Sequence, residues 1–157
     1  MTREQAGLEG PTKDRFQDAL DNQEVIFRDS FPGMLGVKVL EVSDGFAAAE
    51  LDVTQRVKHP GGYAHGGAIA GFGDTVAAWA TFPSLEPGEI FTTIEFNANF
   101  ITGVTDGTLR GEARVVHKGS RTMVLEVKIT HGSKLVAVML VTQAILAQRE
   151  PNAPSSY

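Results

Sequence analysis

Apolar and polar side chains alternate one for one in the second half of the chain. Leu109, Gly111, Ala113 and Val115 are apolar or small, and Arg110, Glu112 and Arg114 stand between them. Met123, Leu125, Val127 and Ile129 repeat the pattern against Thr122, Glu126, Lys128 and Thr130. A period of two marks strands with one dry and one wet face, as in an antiparallel sheet. The pattern predicts strands over 89–101, 108–118, 121–131 and 134–146, with turns at Thr105-Asp106-Gly107, Lys118-Gly119-Ser120 and His131-Gly132-Ser133. Short turns of this kind make successive strands antiparallel neighbours. An earlier pair, 37–42 and 46–53, meets at Ser43-Asp44-Gly45 and reads as a hairpin.

Two segments carry a helical period instead. Phe16, Ala19, Leu20, Gln23, Ile26 and Phe27 recur at three-and-four spacing, which predicts one surface helix ending before Pro32-Gly33. Residues 66–82 are apolar or small all round except for Asp74, Thr75 and Thr81, which predicts a buried helix despite its four glycines. A sheet of about six strands with one apolar face needs a cover, and 66–82 is the one fully apolar helix available. The predicted fold is therefore α+β: an antiparallel sheet wrapped around a central helix, with an extra N-terminal helix in front. The polar ends, 1–12 and 148–157, read as flexible tails around a single domain at 13–147.

Composition narrows the function. The 157 residues include 14 Lys+Arg against 19 Asp+Glu, a net charge of -5, so no basic field exists to gather nucleic acid. Without cysteine there is no disulfide, thiolate zinc site or cysteine nucleophile. No apolar run is long enough to span a bilayer, and Met1 to Pro11 lacks the apolar stretch of a secretion signal. The expected location is the cytoplasm, with no membrane partner.

Asp74 is the residue that calls for an explanation. Its helical neighbours at three and four residues are Ala70, Gly71, Ala77 and Ala78, none of which pairs with a carboxylate. Burial there is expensive unless tertiary hydrogen bonds compensate, and such groups cluster at functional sites. Nine residues earlier, His65-Gly66-Gly67 stands where a loop becomes the helix. The free N–H groups of a helix's first turn point outward from the positive end of its dipole and can hold an oxyanion. A helix-end donor and a carboxylate point to acyl transfer.

His65-Gly66-Gly67, six residues, then Asp74, followed by Phe91-Thr92-Thr93-Ile94-Glu95-Phe96-Asn97, resembles the hotdog-fold acyl-CoA thioesterases of the phenylacetate-degradation (PaaI-like) type over about residues 33–147. The resemblance implies hydrolysis of a small or aromatic acyl-CoA. Asp74 would be nucleophile or general base, and the Gly66 N–H would polarise the thioester carbonyl. Thr93, or Thr92 beside it, would position water, with His65 and Gly67 completing the motif. It also implies a homodimer, usually a dimer of dimers, in which Asp74 and Gly66 of one site come from different chains. No metal or redox cofactor is implied, and coenzyme A is part of the substrate. Where the family has Asn or Gln six residues before the histidine, this chain has His59, whose imidazole can still donate or accept a hydrogen bond. Lys118, Ser120 and Arg121 match residues that meet the coenzyme A phosphates in similar enzymes. Two other readings stay open: a hotdog enoyl-CoA hydratase or dehydratase using His59 with Asp74, and a non-catalytic acyl-CoA-binding domain.

Overall fold

A computed structural model describes residues 13–148. The tails read at 1–12 and 148–157 lie outside them except for Gln148, whose N–H donates to Gly88 O at 2.8 Å. The alternating segments form six strands, β1 (Lys38–Ser43), β2 (Phe46–Asp52), β3 (Glu89–Phe100), β4 (Thr108–Lys118), β5 (Thr122–His131) and β6 (Lys134–Ala147). They make one antiparallel sheet in the order β1-β2-β4-β5-β6-β3. The apolar segment is a helix, Gly66–Thr81, which touches every strand of the curled sheet. Leu109, Met123, Leu125 and Ile129 are fully buried in one core cluster with its Phe72 and Val76, and the fold is the expected α+β hotdog. No helix among the described residues is long and apolar enough to cross a membrane.

The N-terminal prediction of one helix needs correcting. The chain makes three short ones, α1 (Lys13–Asp21), α2 (Gln23–Phe27) and α3 (Phe31–Leu35), so the central helix is α4. Asn22 interrupts the first two, its side-chain N–H donating to Asp18 O at 2.8 Å. Pro32 does not end a helix; it sits in the first turn of α3, where its missing N–H is no loss. Ser30 caps that turn, and Gly36, in the left-handed region at φ 85°, closes it.

A second expectation fails at Thr105-Asp106-Gly107. Strands β3 and β4 are not neighbours: β3 pairs with β6 at one edge, and β4 pairs with β2. Residues 101–107 form a crossing rather than a hairpin. The N–H groups of Ile101 and Thr102 donate to Val136 O, Ala64 N–H donates to Val104 O, and Val53 N–H donates to Gly107 O. This crossing ties the loop before α4 to the sheet. At its end Asp52 accepts from Thr108 Oγ1 at 2.7 Å and lies 3.3 Å from Lys38 Nζ. Those two neighbours, the hydroxyl first, hold the Asp52 carboxyl below its ordinary range. The resulting tie of β1 to β2 and β4 is complete above the ordinary carboxylate pKa and is lost as pH falls through the lowered value.

Helix α4 lies close on the sheet because Gly73 has no side chain. A Cβ there would sit 2.2 Å from Met139 Sδ and 3.4 Å from Ile129 Cδ1. Gly73→Ala gains about 1 kcal/mol in helix propensity, whereas overpacking a filled core costs about 1–3 kcal/mol. With the neighbouring Met139 and Ile129 fully buried, sterics win. The variant is expected to unfold at a lower urea concentration than the parent; an equal or higher midpoint would show that the interface has room to spare.

Candidate active site

The loop before α4 is shaped by two imidazoles. His65 is the N-cap of the helix, and its Nδ1 accepts from Gly67 N–H at 2.9 Å. His59 makes the same local turn, its Nδ1 accepting from Gly61 N–H at 2.9 Å. Two neutral rings that accept at Nδ1 carry their protons on Nε2, so each presents a donor outward. The rings stand edge to face, 6.4 Å between centroids, with Tyr63 stacked on His59 at 6.0 Å. Gly66 N–H, between the capped Gly67 and the loop, has no hydrogen-bond partner among the described residues. The Phe100 ring lies beside it, 3.4 Å from where a Gly66 Cβ would be.

Asp74 occupies the face of α4 that the sheet leaves uncovered, in line with Gly67, Gly71 and Ala78. Burial of the carboxylate is therefore only partial, a correction to the sequence reading: the apolar wrapping covers its helix on the other sides. Its tertiary partner is Thr93, whose Oγ1 donates to Asp74 Oδ1 at 2.8 Å. A β-bulge between Thr93 and Glu95 follows at once, and such bulges re-aim side chains beside functional positions. Thr92 points to the opposite, exposed face of β3, so of the two threonines Thr93 is the one that reaches the carboxylate.

A family model described as the thioesterase superfamily matches residues 61–138. The chain is 33% identical over 117 residues, 74% of this chain and 95% of the other, to a 1,4-dihydroxy-2-naphthoyl-CoA hydrolase of Listeria monocytogenes. The chain belongs to the thioesterase superfamily. A phenylacetic acid degradation protein PaaI from Thermus thermophilus superposes with a TM-score of 0.69 at 25% identity, over 74% of this chain and 98% of that one. A thioesterase from Haemophilus influenzae shares the fold over 94% of this chain and 100% of its own, with a TM-score of 0.81 at 24% identity. This is a hotdog thioesterase of the PaaI-like type, as the His65-to-Asp74 spacing led us to expect.

Within one thioesterase chain the expected site residues fall into separate groups. His59, His65, Gly66 and Gly67 gather at the start of α4, whereas Asp74 and Thr93 meet two turns further along. Eight residues of α-helix put Gly66 and Asp74 about 12 Å apart along the axis. Lys118 belongs to neither group: its Nζ donates to Ser84 O just beyond the far end of α4 and lies 4.0 Å from the Glu86 carboxylate. Ser120 and Arg121 are exposed in the turn before β5, and neither bonds to Asp74, Thr93 or the histidines. Among the described residues no three His, Asp or Glu side chains come together as metal ligands. The aromatics that flank Asp74 in sequence, Phe72 and Trp79, are core. Sequence reasoning missed Phe100 beside Gly66; an apolar residue on the dry face of β3 carries no mark that it will overhang the helix.

His65 does measurable structural work as the cap. Replacing a capping side chain by alanine costs about 1 kcal/mol. His65→Ala should therefore lower the unfolding temperature, and His65→Asn, a good cap, should restore most of the loss; equal stability of all three proteins would contradict the capping geometry.

Proposed function

We propose that the protein hydrolyses the thioester of a small or aromatic acyl-CoA, with the carboxylate of Asp74 acting on a carbonyl held by the Gly66 N–H of a second chain. The Thr93–Asp74 hydrogen bond carries the reading. It fixes one carboxylate oxygen and leaves the other to attack the carbonyl carbon or to take a proton from water. Water then supplies the new carboxylate oxygen, and the proton leaves on the coenzyme A thiol. An oxyanion donor must lie within about 3 Å of the carbonyl oxygen, and the attacking atom about 3–3.5 Å from its carbon. The roughly 12 Å along α4 between Gly66 and Asp74 is too long for both to serve one carbonyl from the same chain.

The sheet offers a surface for the second chain. Its β1 edge is covered: the Gln23 amide donates to Val39 O at 2.9 Å and accepts from Val39 N–H at 2.7 Å, standing in for a neighbouring strand. Among the described residues nothing pairs with the outer edge of the twelve-residue β3, and Ile94, Phe96 and Phe100 on it and Ile101 just after it are each roughly half exposed, at 58%, 44%, 53% and 56%. A long apolar edge invites pairing with another strand. Two copies joined edge to edge about a two-fold axis would bury these side chains and bring the Gly66 end of each chain towards its partner's Asp74.

An aromatic acyl group is supported by the name of the Listeria relative, a hydroxylated naphthoyl-CoA hydrolase. The rival hydration chemistry needs an imidazole with a free basic nitrogen. Both His59 and His65 spend Nδ1 on backbone N–H groups and present a donor at Nε2, which suits holding a thioester oxygen. We assign His59 to positioning the substrate in that way.

Thiol release from a panel of aliphatic and aryl acyl-CoAs tests the reading directly. Asp74→Asn should lose most of kcat with KM nearly kept. Gly66→Pro should lose about 10²–10³ in kcat, as for other oxyanion donors, while leaving the helix intact. Proline is tolerated at the first helical position, and His65 at φ -72° and ψ 134° is already in the conformation that precedes proline. Binding without thiol release would favour the acyl-CoA-binding reading, and enoyl-CoA hydration without thiol release the hydratase. Phe96→Lys on the β3 edge should convert a dimer of 16.8 kDa chains into monomers in light scattering and remove activity with it; active monomers would refute the shared site.

A further inference from the structure

Gln143 is the one fully buried amide of the core among the described residues. It stands on the dry face of β6 between Val141 and Ile145, where the alternation calls for an apolar side chain. Its Oε1 accepts from the Thr81 hydroxyl of α4, whose single proton it shares with Ala77 O at 3.1 Å, and its Nε2 has no hydrogen-bond partner among the described residues. A buried donor left without an acceptor is unfavourable, and a leucine or methionine would fill the same space without that penalty.

The sheet register narrows down what the amide can serve. Directly across from Gln143 lie Met123 on β5 and Thr93 on β3. Such cross-strand neighbours on one face have Cβ atoms about 4.5–5.5 Å apart. Met123 offers no hydrogen bond of note, and Thr81 already engages Oε1. Thr93 remains, and its hydroxyl proton goes to Asp74 Oδ1 while its lone pairs are free to accept.

Resting on the reading of Asp74 and Thr93 above, we infer that Gln143 is a positioning residue. Its Nε2, which makes no direct hydrogen bond, supports the Thr93 hydroxyl from inside the core through one water. With a donor on its inner side, the hydroxyl commits its single proton to Asp74. The order Thr81, Gln143, Thr93, Asp74 then forms a polar line that runs from the core out to the reacting carboxylate, with α4 supplying both ends.

The test compares Gln143→Met, Thr93→Val and the double variant. If Gln143 acts through Thr93, Gln143→Met lowers kcat about tenfold, with KM within about twofold of the parent. Its unfolding temperature does not fall, and in the Thr93→Val background the substitution has no further effect on kcat. An unchanged kcat, a loss that multiplies with that of Thr93→Val, or a loss accompanied by a lowered unfolding temperature would each overturn the inference. A crystal structure of Gln143→Met decides the matter without turnover: the Thr93 hydroxyl turned away from Asp74 supports it, and the hydrogen bond retained refutes it. A parent that releases no thiol from any acyl-CoA would instead defeat the thioesterase site itself, leaving the crystallographic comparison to judge Gln143.

Discussion

The rise of one helix governs this molecule. Gly66, whose N–H is unpaired among the described residues, and Asp74, one carboxylate oxygen of which is likewise unpaired there, are rigidly held by α4 at a separation of about 12 Å. No side-chain rotation closes that gap, because the donor is backbone and the helix is clamped against all six strands. A reaction that needs both groups at one carbonyl must therefore draw them from two helices. On the proposed reading, the outer edge of β3, unpaired among the described residues, the half-exposed phenylalanines on it and the face of α4 that the sheet leaves uncovered belong to one surface for a second chain.

The asymmetry of the sheet's edges gives that surface its direction. The N-terminal helices close the β1 side, with Gln23 pairing to Val39 as another strand would. The crossing at 101–107 carries β3 to the far side, next to β6, and frees its outer edge. Covering one edge and exposing the other limits growth of the sheet to a closed pair, which protects against open-ended aggregation while permitting association. On the proposed reading, catalysis and assembly are linked through the same strand: Thr93 reaches Asp74 from β3, and Phe100 at its end lies beside Gly66.

Much of this was legible before the structure. The period-two alternation marked the strands to within a residue or two, because one wet face and one dry face leave little freedom in register. The helix at 66–81 was legible from its apolar composition, and the His65-to-Asp74 spacing carried the family. Strand order was not, because turn-forming residues at 105–107 say that the chain bends but not which strand it then joins. Nor was the partial exposure of Asp74, since a helix that is apolar all round gives no sign of which face a partner will cover. Gln143 shows the reverse: the alternation Met139, Val141, Gln143, Ile145 placed an amide on a dry face, and its meaning needed the neighbouring strand in view.

Subunit complementation tests the shared site most directly. Asp74→Asn and Gly66→Pro are each expected to be inactive, and they damage different groups. If one site draws Asp74 from one chain and Gly66 from the other, a heterodimer of the two variants holds one doubly damaged site and one intact site. Unfolding and refolding an equal mixture pairs chains at random, so roughly a quarter of the parent thiol-release rate should return. An inactive mixture in which heterodimers have formed would contradict the account and place the reacting groups within a single chain.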